Sequence, residues 1–129
     1  MPPKRRVAVK FELEMPHKRH ADVFAGTQQY AREHGWQTII DEFAAETLEH
    51  SGTESPPYDG VIGRANEQLA RWAVTHGLPV VNVWLASPVC DRLPGVFPDY
   101  AAAGRLRAEH LLARGLRRFS VITRNDRSG

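Results

Sequence analysis

The sequence predicts an α/β protein built on a parallel sheet that carries helices on both faces. Short apolar segments typical of buried strands alternate with longer segments whose apolar side chains recur every three or four residues. Continuous apolar strands that alternate with amphipathic helices are typical of parallel sheets covered on both sides, so this order indicates a three-layer architecture. The chain of 129 residues is long enough for one such core.

The first part of the chain is predicted to form two strands joined by one helix. Residues 6–11 and 36–40 are rich in strand-forming residues. Between them, apolar side chains recur at helical spacing from His20 onward, and Gly35 suits the left-handed residue that ends many helices. Residues 43–57 are polar and then rich in turn residues, so this segment is predicted to be a loop.

The remainder of the chain is predicted to continue the same alternation. Each of its two helices is followed by a glycine that can end it. The predicted elements are the strand 59–63, the helix 66–76, the strand 78–85, a short extended piece ending at Phe97, the helix 100–114 and the strand 118–122. Parallel sheets bind ligands outside the carboxyl ends of their strands, which places the expected site in the loops that follow these strands.

Composition argues against several classes of protein. Hydrophobic residues make up 42% of the chain and charged residues 25%, as in ordinary globular domains. The net charge of +2 is too small to indicate a nucleic-acid surface by itself. No apolar run approaches the ~20 residues that span a membrane, and the start of the chain lacks the features of an export signal. Cys90 is the single cysteine, which excludes an internal disulfide and suits the cytoplasm, where we expect the protein.

No common catalytic motif is present in the sequence. The nucleotide-binding patterns GxGxxG and GxxxxGK[ST] are missing, as are GxSxG, HExxH and CxxC. His17 and His20 stand three residues apart, but only Glu14 and Asp22 lie near them in sequence, so we expect no metal site. The chain is therefore expected not to be an enzyme and to need no cofactor.

Four phrases resemble the periplasmic-binding-protein-type ligand domain of the LacI/GalR family, and they follow one another in the family's order. They are FAGTQQYAREHGW (24–36), YDGVIGR (58–64), GLPVVNV (77–83) and VFPDYAAAGRLRAEHLLARGLRRFSVI (96–122). Within that family, the chain is most similar to the N-terminal sugar-sensing domain of xylose-operon-type regulators of the AraC class. The first strand begins near Arg6, which leaves no room for an N-terminal DNA-binding headpiece and favours this type.

The resemblance implies a domain with two lobes, of which this chain is about one. Residues 1–97 would form the first lobe, and residues 98–129 the crossover and the start of the second. It implies that a monosaccharide such as a pentose binds between the lobes, that the chain forms a homodimer, and that DNA is bound only by a C-terminal domain absent from this chain. The helix 20–34 is the candidate dimer surface, although its apolar stripe is more simply explained by the sheet it must cover. We therefore expect weak or no sugar binding by this chain alone. A lobe of a periplasmic solute-binding protein and a small α/β enzyme remain the alternatives.

The candidate ligand residues are polar or aromatic side chains near predicted strand ends and helix starts. A sugar presents hydroxyls on its rim and C–H groups on its faces, so planar polar groups and aromatic rings suit it. The candidates are Phe11, Glu12, Arg19, His20, Arg64, Asn82, Trp84 and Asp99. The family often has a Tyr-Gly-Arg-like phrase where this chain has Arg19-His20-Ala21, which leaves the identity of the sugar open.

Most of these residues have a structural alternative that the sequence leaves open. The carboxylate of Asp99 equally suits a helix N-cap. The amide of Asn82, which lies in an apolar strand, needs a partner that the neighbouring backbone can also provide. The rings of Phe11 and Trp84 suit core packing, and Glu12, like Arg64, suits a solvated position.

Overall fold

The computed structural model describes residues 3–13, 20–52 and 55–122. The chain divides into two compact units, and the boundary lies between Val96 and Phe97. Within the described ranges, no helix is both long enough and apolar enough to cross a membrane.

The first unit contains a four-stranded parallel sheet in the order β2-β1-β3-β4. The strands are β1 (Arg6–Lys10), β2 (Gln37–Ile40), β3 (Gly60–Gly63) and β4 (Val80–Asn82). Val9 in the central strand β1 lies opposite Ile40 on one side and Ile62 on the other. Among the described residues, the strand β2 is at one edge of the sheet and pairs with β1 alone. The predicted α/β fold with a parallel sheet is confirmed.

In the described part of the first unit, three helices alternate with the strands, and the sequence predicted two of them. They are α1 (His20–His34), α2 (Ala44–His50) and α3 (Glu67–His76). The prediction of a loop throughout 43–57 is wrong at α2. This segment, AAETLEH, consists largely of residues with high helix propensity, and Ala44, Ala45 and Leu48 are buried in the core.

The helices cover both faces of the sheet. On one face, Ala8, Val61 and Val80 belong to the same core cluster as the buried side chains of α2 and α3. Because side chains alternate along a strand, neighbouring positions face the other way. There, α1 lies against β2, and Nε2 of Gln28 donates a hydrogen bond of 2.6 Å to Oγ1 of Thr38.

The strand β4 is shorter than predicted. The apolar segment 78–85 forms strand only from Val80 to Asn82. Just beyond the strand, the side chain of Asn82 bonds the backbone of Trp84. The predicted extended piece before Phe97 appears as a single bridge, in which Gly95 pairs with Asn82 in parallel.

The second unit contains the helix α4 (Tyr100–Ala113), which buries none of its side chains. Asp99 caps its N-terminus, because Oδ1 accepts a hydrogen bond of 2.9 Å from the amide of Ala102. The predicted strand 118–122 is wrong, since this segment has no regular structure and is exposed. A strand needs a neighbour for its backbone groups, and none pairs with it among the described residues.

Candidate functional site

The strand order predicts a ligand-binding position at the carboxyl ends of β1 and β3. The chain leaves β1 for α1, which lies on one face, and leaves β3 for α3, which lies on the other. Two adjacent strands whose connections diverge in this way form the switch point at which open parallel sheets bind ligands. Glu12 follows β1 and Arg64 follows β3, so both flank this position.

Arg64 and Trp84 form a stacked pair at this end of the sheet. The guanidinium carbon of Arg64 lies 4.4 Å from the centroid of the Trp84 ring, within the range of a cation–π interaction. Burial lowers the pKa of Arg64, and the carboxylate of Glu12 opposes that shift. The ends of β1, β3 and β4 therefore each contribute one of these three side chains.

The side chain of Asn82 connects the two loops that carry this pair. Its Oδ1 accepts hydrogen bonds from the amides of Ala65 (3.2 Å) and Trp84 (3.0 Å). Its Nδ2 donates to the carbonyl of Trp84 at 2.9 Å, and the residue has no exposed surface. The sequence left open whether the amide of Asn82 bonds a ligand or the neighbouring backbone, and in the structure it bonds the backbone.

Lys10 ends β1 among several charged side chains. Burial lowers the pKa of its amine, and the positive charge of Arg64 acts in the same direction. The carboxylates of Glu46, Glu12 and Asp41 act in the opposite direction and raise that pKa. Among the described residues, three carboxylates and one guanidinium therefore act on this lysine.

A cavity of about 530 Å³ opens between the ends of β1 and β2. Its lining combines acidic and apolar side chains. The lining residues are Phe11, Glu12, Leu13, Ile40, Asp41, Glu42 and Phe43. Ile40 and Phe43 are 54% and 61% exposed, so the cavity presents apolar surface to solvent beside its carboxylates. Such a mixed surface can contact both the hydroxyls and the C–H groups of a small polar ligand.

Asp41 and Tyr58 form a hydrogen bond that the sequence did not reveal. The hydroxyl of buried Tyr58 donates to Oδ2 of Asp41 at 2.5 Å, and Oδ1 of Asp41 accepts from the amide of Phe43 at 3.0 Å. Burial, the hydrogen bond to Asp41 and its negative charge raise the pKa of Tyr58 to about 12. The only sequence signal for this pair is that Asp41 directly follows β2 and Tyr58 shortly precedes β3. Nothing in the sequence shows that the two side chains are in contact.

This pair predicts a specific alkaline response. The folded protein holds the Tyr58 proton to a higher pH than the unfolded chain, so stability is complete below pH 10.0 and falls as pH rises toward 12. Over that interval, this tyrosine should lose about 1–2 kcal/mol of stabilisation. Urea unfolding at a series of pH values measures the loss.

Replacement of the tyrosine provides the test of that response. Tyr58→Phe should reduce the decrease in the free energy of unfolding at alkaline pH. It should also remove the part of the phenolate absorbance that develops at the highest pH. The exposed-site variant Tyr100→Phe should change neither the slope nor that component. Equal alkaline slopes in wild type and Tyr58→Phe would contradict the role of the buried hydroxyl.

The structure brings most of the predicted ligand residues to the carboxyl end of the sheet. Phe11 is buried in the first unit, with its ring centroid 5.3 Å from that of His20. Nδ1 of His20 donates a hydrogen bond of 3.0 Å to the carbonyl of Glu12 and so ties α1 to the end of β1. Asp99 belongs to the second unit as the cap of α4. Arg19 lies outside the described residues.

Among the residues that the structure describes, no group of three or more His, Cys, Asp or Glu side chains is placed to hold a metal ion. No family model, no curated protein and no solved structure matches the chain. What the fold and the geometry establish is an α/β domain with a four-stranded parallel sheet.

Proposed function

We propose that this chain is the ligand-sensing part of a transcription regulator and binds a monosaccharide such as a pentose at the carboxyl end of its sheet. The observation that carries the proposal is the stacked pair of Arg64 and Trp84 beside Glu12, at the switch point of the sheet. The resemblance of four sequence phrases to LacI/GalR-like ligand domains supplies the biological class.

The chemistry of these side chains suits a neutral polyhydroxylated ligand. The guanidinium can donate hydrogen bonds to hydroxyl oxygens, and the carboxylate of Glu12 can accept them. The aromatic ring of Trp84 offers a surface for C–H groups. The carboxylates of Glu12, Asp41 and Glu46 all act on Lys10, and we expect them to repel a phosphorylated sugar but not a neutral one.

A titration followed by amide chemical shifts tests the proposal. We expect D-xylose or another pentose to shift the amides of Glu12, Ala65 and Trp84, with a dissociation constant in the millimolar range. Binding should be weak because one lobe contacts only one side of a sugar. Arg64→Ala should weaken binding at least about five-fold, since it removes charged hydrogen-bond donors. The matched variant Arg71→Ala, on the exposed side of α3, should leave binding unchanged.

Three results would contradict the proposal in different ways. Shifts confined to other parts of the chain would place the ligand elsewhere. Micromolar affinity would contradict the interpretation as a single lobe of a two-lobed domain. Tighter binding of D-ribose 5-phosphate than of D-ribose would contradict the preference for a neutral ligand.

The regulatory part of the proposal concerns how binding would reach DNA. Sugar that binds the closed form of a two-lobed domain better than the open form would shift the population toward closure, and only this difference in affinity can drive the shift. A homodimer through α1 and a DNA-binding domain elsewhere in the full protein complete the scheme. Sedimentation of the chain tests the dimer, because a monomer at all concentrations would contradict it.

A further inference from the structure

We infer that Asn82 and Ser87 are positioning residues that fix the geometry of the Arg64–Trp84 pair. Their importance for ligand binding rests on the proposed function, whereas their effect on the pair itself does not. The sequence suggested Asn82 as a direct ligand contact. Its complete burial and its three side-chain hydrogen bonds to backbone atoms indicate action through its neighbours instead.

One amide group joins the two loops that carry the pair. The amide of Ala65, directly after Arg64, and the amide of Trp84 both donate to Oδ1 of Asn82. The carbonyl of Trp84 accepts from Nδ2. The backbone segments that carry the guanidinium and the indole are therefore both bonded to the planar side-chain amide of Asn82, which sets the distance between them.

Ser87 bonds the other backbone polar group of Ala65, its carbonyl. Its Oγ donates to the carbonyl of Ala65 at 2.7 Å and accepts from the amide of Val89 at 3.2 Å. The N–H and the C=O of Ala65 are thus both bonded to buried side chains that follow or end β4. The loop after β3 has little freedom to move Arg64 independently of Trp84.

The polar atom of the indole does not perform this task. Within the described residues, Nε1 of Trp84 is buried and has no hydrogen-bond partner. The ring is therefore located by its own backbone, by packing and by the guanidinium over its face. Loss of the backbone bonds at Trp84 should consequently displace the ring.

The backbone of Asn82 has separate partners. Its amide donates to the carbonyl of Pro94 at 2.8 Å, and its carbonyl accepts from the amide of Val96 at 3.0 Å. Substitution of the side chain leaves these bonds available. The side chain can therefore be tested without removing the backbone pairing at the end of β4.

The chemistry of the amide predicts a graded series of variants. Asn82→Asp keeps an acceptor for the two amides but loses the donor to the carbonyl of Trp84 and adds a negative charge beside it. Asn82→Leu has a similar shape and forms none of the three hydrogen bonds. Ser87→Ala removes only the bonds to Ala65 and Val89. The displacement of the pair should be largest in Asn82→Leu.

Fluorine NMR of the chain labelled with 5-fluorotryptophan tests the inference directly. The chain has three tryptophans, so Trp36 and Trp72 serve as internal references. We expect the resonance of Trp84, assigned with Trp84→Phe, to shift or broaden in Asn82→Leu and Ser87→Ala while the other two keep their positions. Gly77→Ala, a control that strains a left-handed glycine with φ of 63°, should lower stability without moving the Trp84 resonance.

Several outcomes would overturn the inference. An unchanged Trp84 resonance in folded Asn82→Leu and Ser87→Ala would do so, as would equal changes at all three tryptophans, which would indicate general loosening. If Asn82→Leu does not fold, Asn82→Asp and Ser87→Ala decide the question by the same criterion.

A ligand arm separates the inference from the proposed function. With D-xylose as the probe, Asn82→Leu should weaken binding at least about five-fold, and the double variant with Arg64→Ala should be little weaker than either single variant. Additive losses would overturn the positioning role in binding. If the wild-type chain binds no pentose, the proposed function fails, while the fluorine spectra still decide whether Asn82 and Ser87 position the pair.

Discussion

Gly63→Ala should destabilise the first unit by about 3 kcal/mol, since its new methyl group would overlap backbone atoms. A Cβ atom at this position would lie 2.6 Å from the Cβ of Lys10 and closer still to its carbonyl oxygen. That oxygen also accepts a hydrogen bond of 3.3 Å from the amide of Arg64. The end of β3 would have to move away from β1, at the switch point of the sheet. Urea unfolding followed by circular dichroism measures the loss.

The same strand supplies a matched control for this prediction. A Cβ atom at Gly60 would lie 3.4 Å from the carbonyl oxygen of Pro79, which is ordinary contact. Gly60→Ala should therefore change stability far less than Gly63→Ala. Similar stability of the two variants would show that β1 and β3 are not packed this closely at their carboxyl ends.

Leu48→Ala should also lower the free energy of unfolding by about 3 kcal/mol, because it leaves a cavity in a closed core. Leu48 is completely buried and belongs to the cluster shared by α2 and α3 with the sheet. The identical substitution at Leu106, which is 67% exposed on α4, should change stability by no more than about 0.5 kcal/mol. Urea unfolding of both variants makes the comparison. Equal losses in the free energy of unfolding would contradict the placement of α2 in the core.

The strands of the first unit and two of its helices were predictable because each has a strong local pattern. Apolar runs predicted all four strands within a few residues, and glycine ended two helices as expected. The short helix α2 was missed because its polar content and the turn-rich residues after it suggested a loop. Its apolar side chains are few, and only the tertiary core reveals their common face.

The predicted strand 118–122 fails for a different physical reason. Its residues have high strand propensity, but propensity does not supply a neighbouring strand. Phe119 and Val121 are 49% and 81% exposed, so no packing favours an extended pairing there. A local pattern therefore could not decide this element.

The general location of the site was predictable, whereas its internal contacts were not. Polar residues after parallel strands gather at one end of the sheet by geometry alone, which brought Glu12, Arg64 and Trp84 into one region. The contact between Asp41 and Tyr58 depends on a loop path that no local pattern specifies. The ligand role of the predicted residues stays a prediction.

The position of β2 at the edge of the sheet has a consequence for solubility. An outermost strand can recruit the same strand of another molecule through its open backbone groups and so begin aggregation. Here, the apolar pair Ile39 and Ile40 is followed at once by Asp41 and Glu42. Two adjacent negative charges oppose the stacking of identical copies, so we expect these acids, which also line a cavity, to disfavour fibre formation.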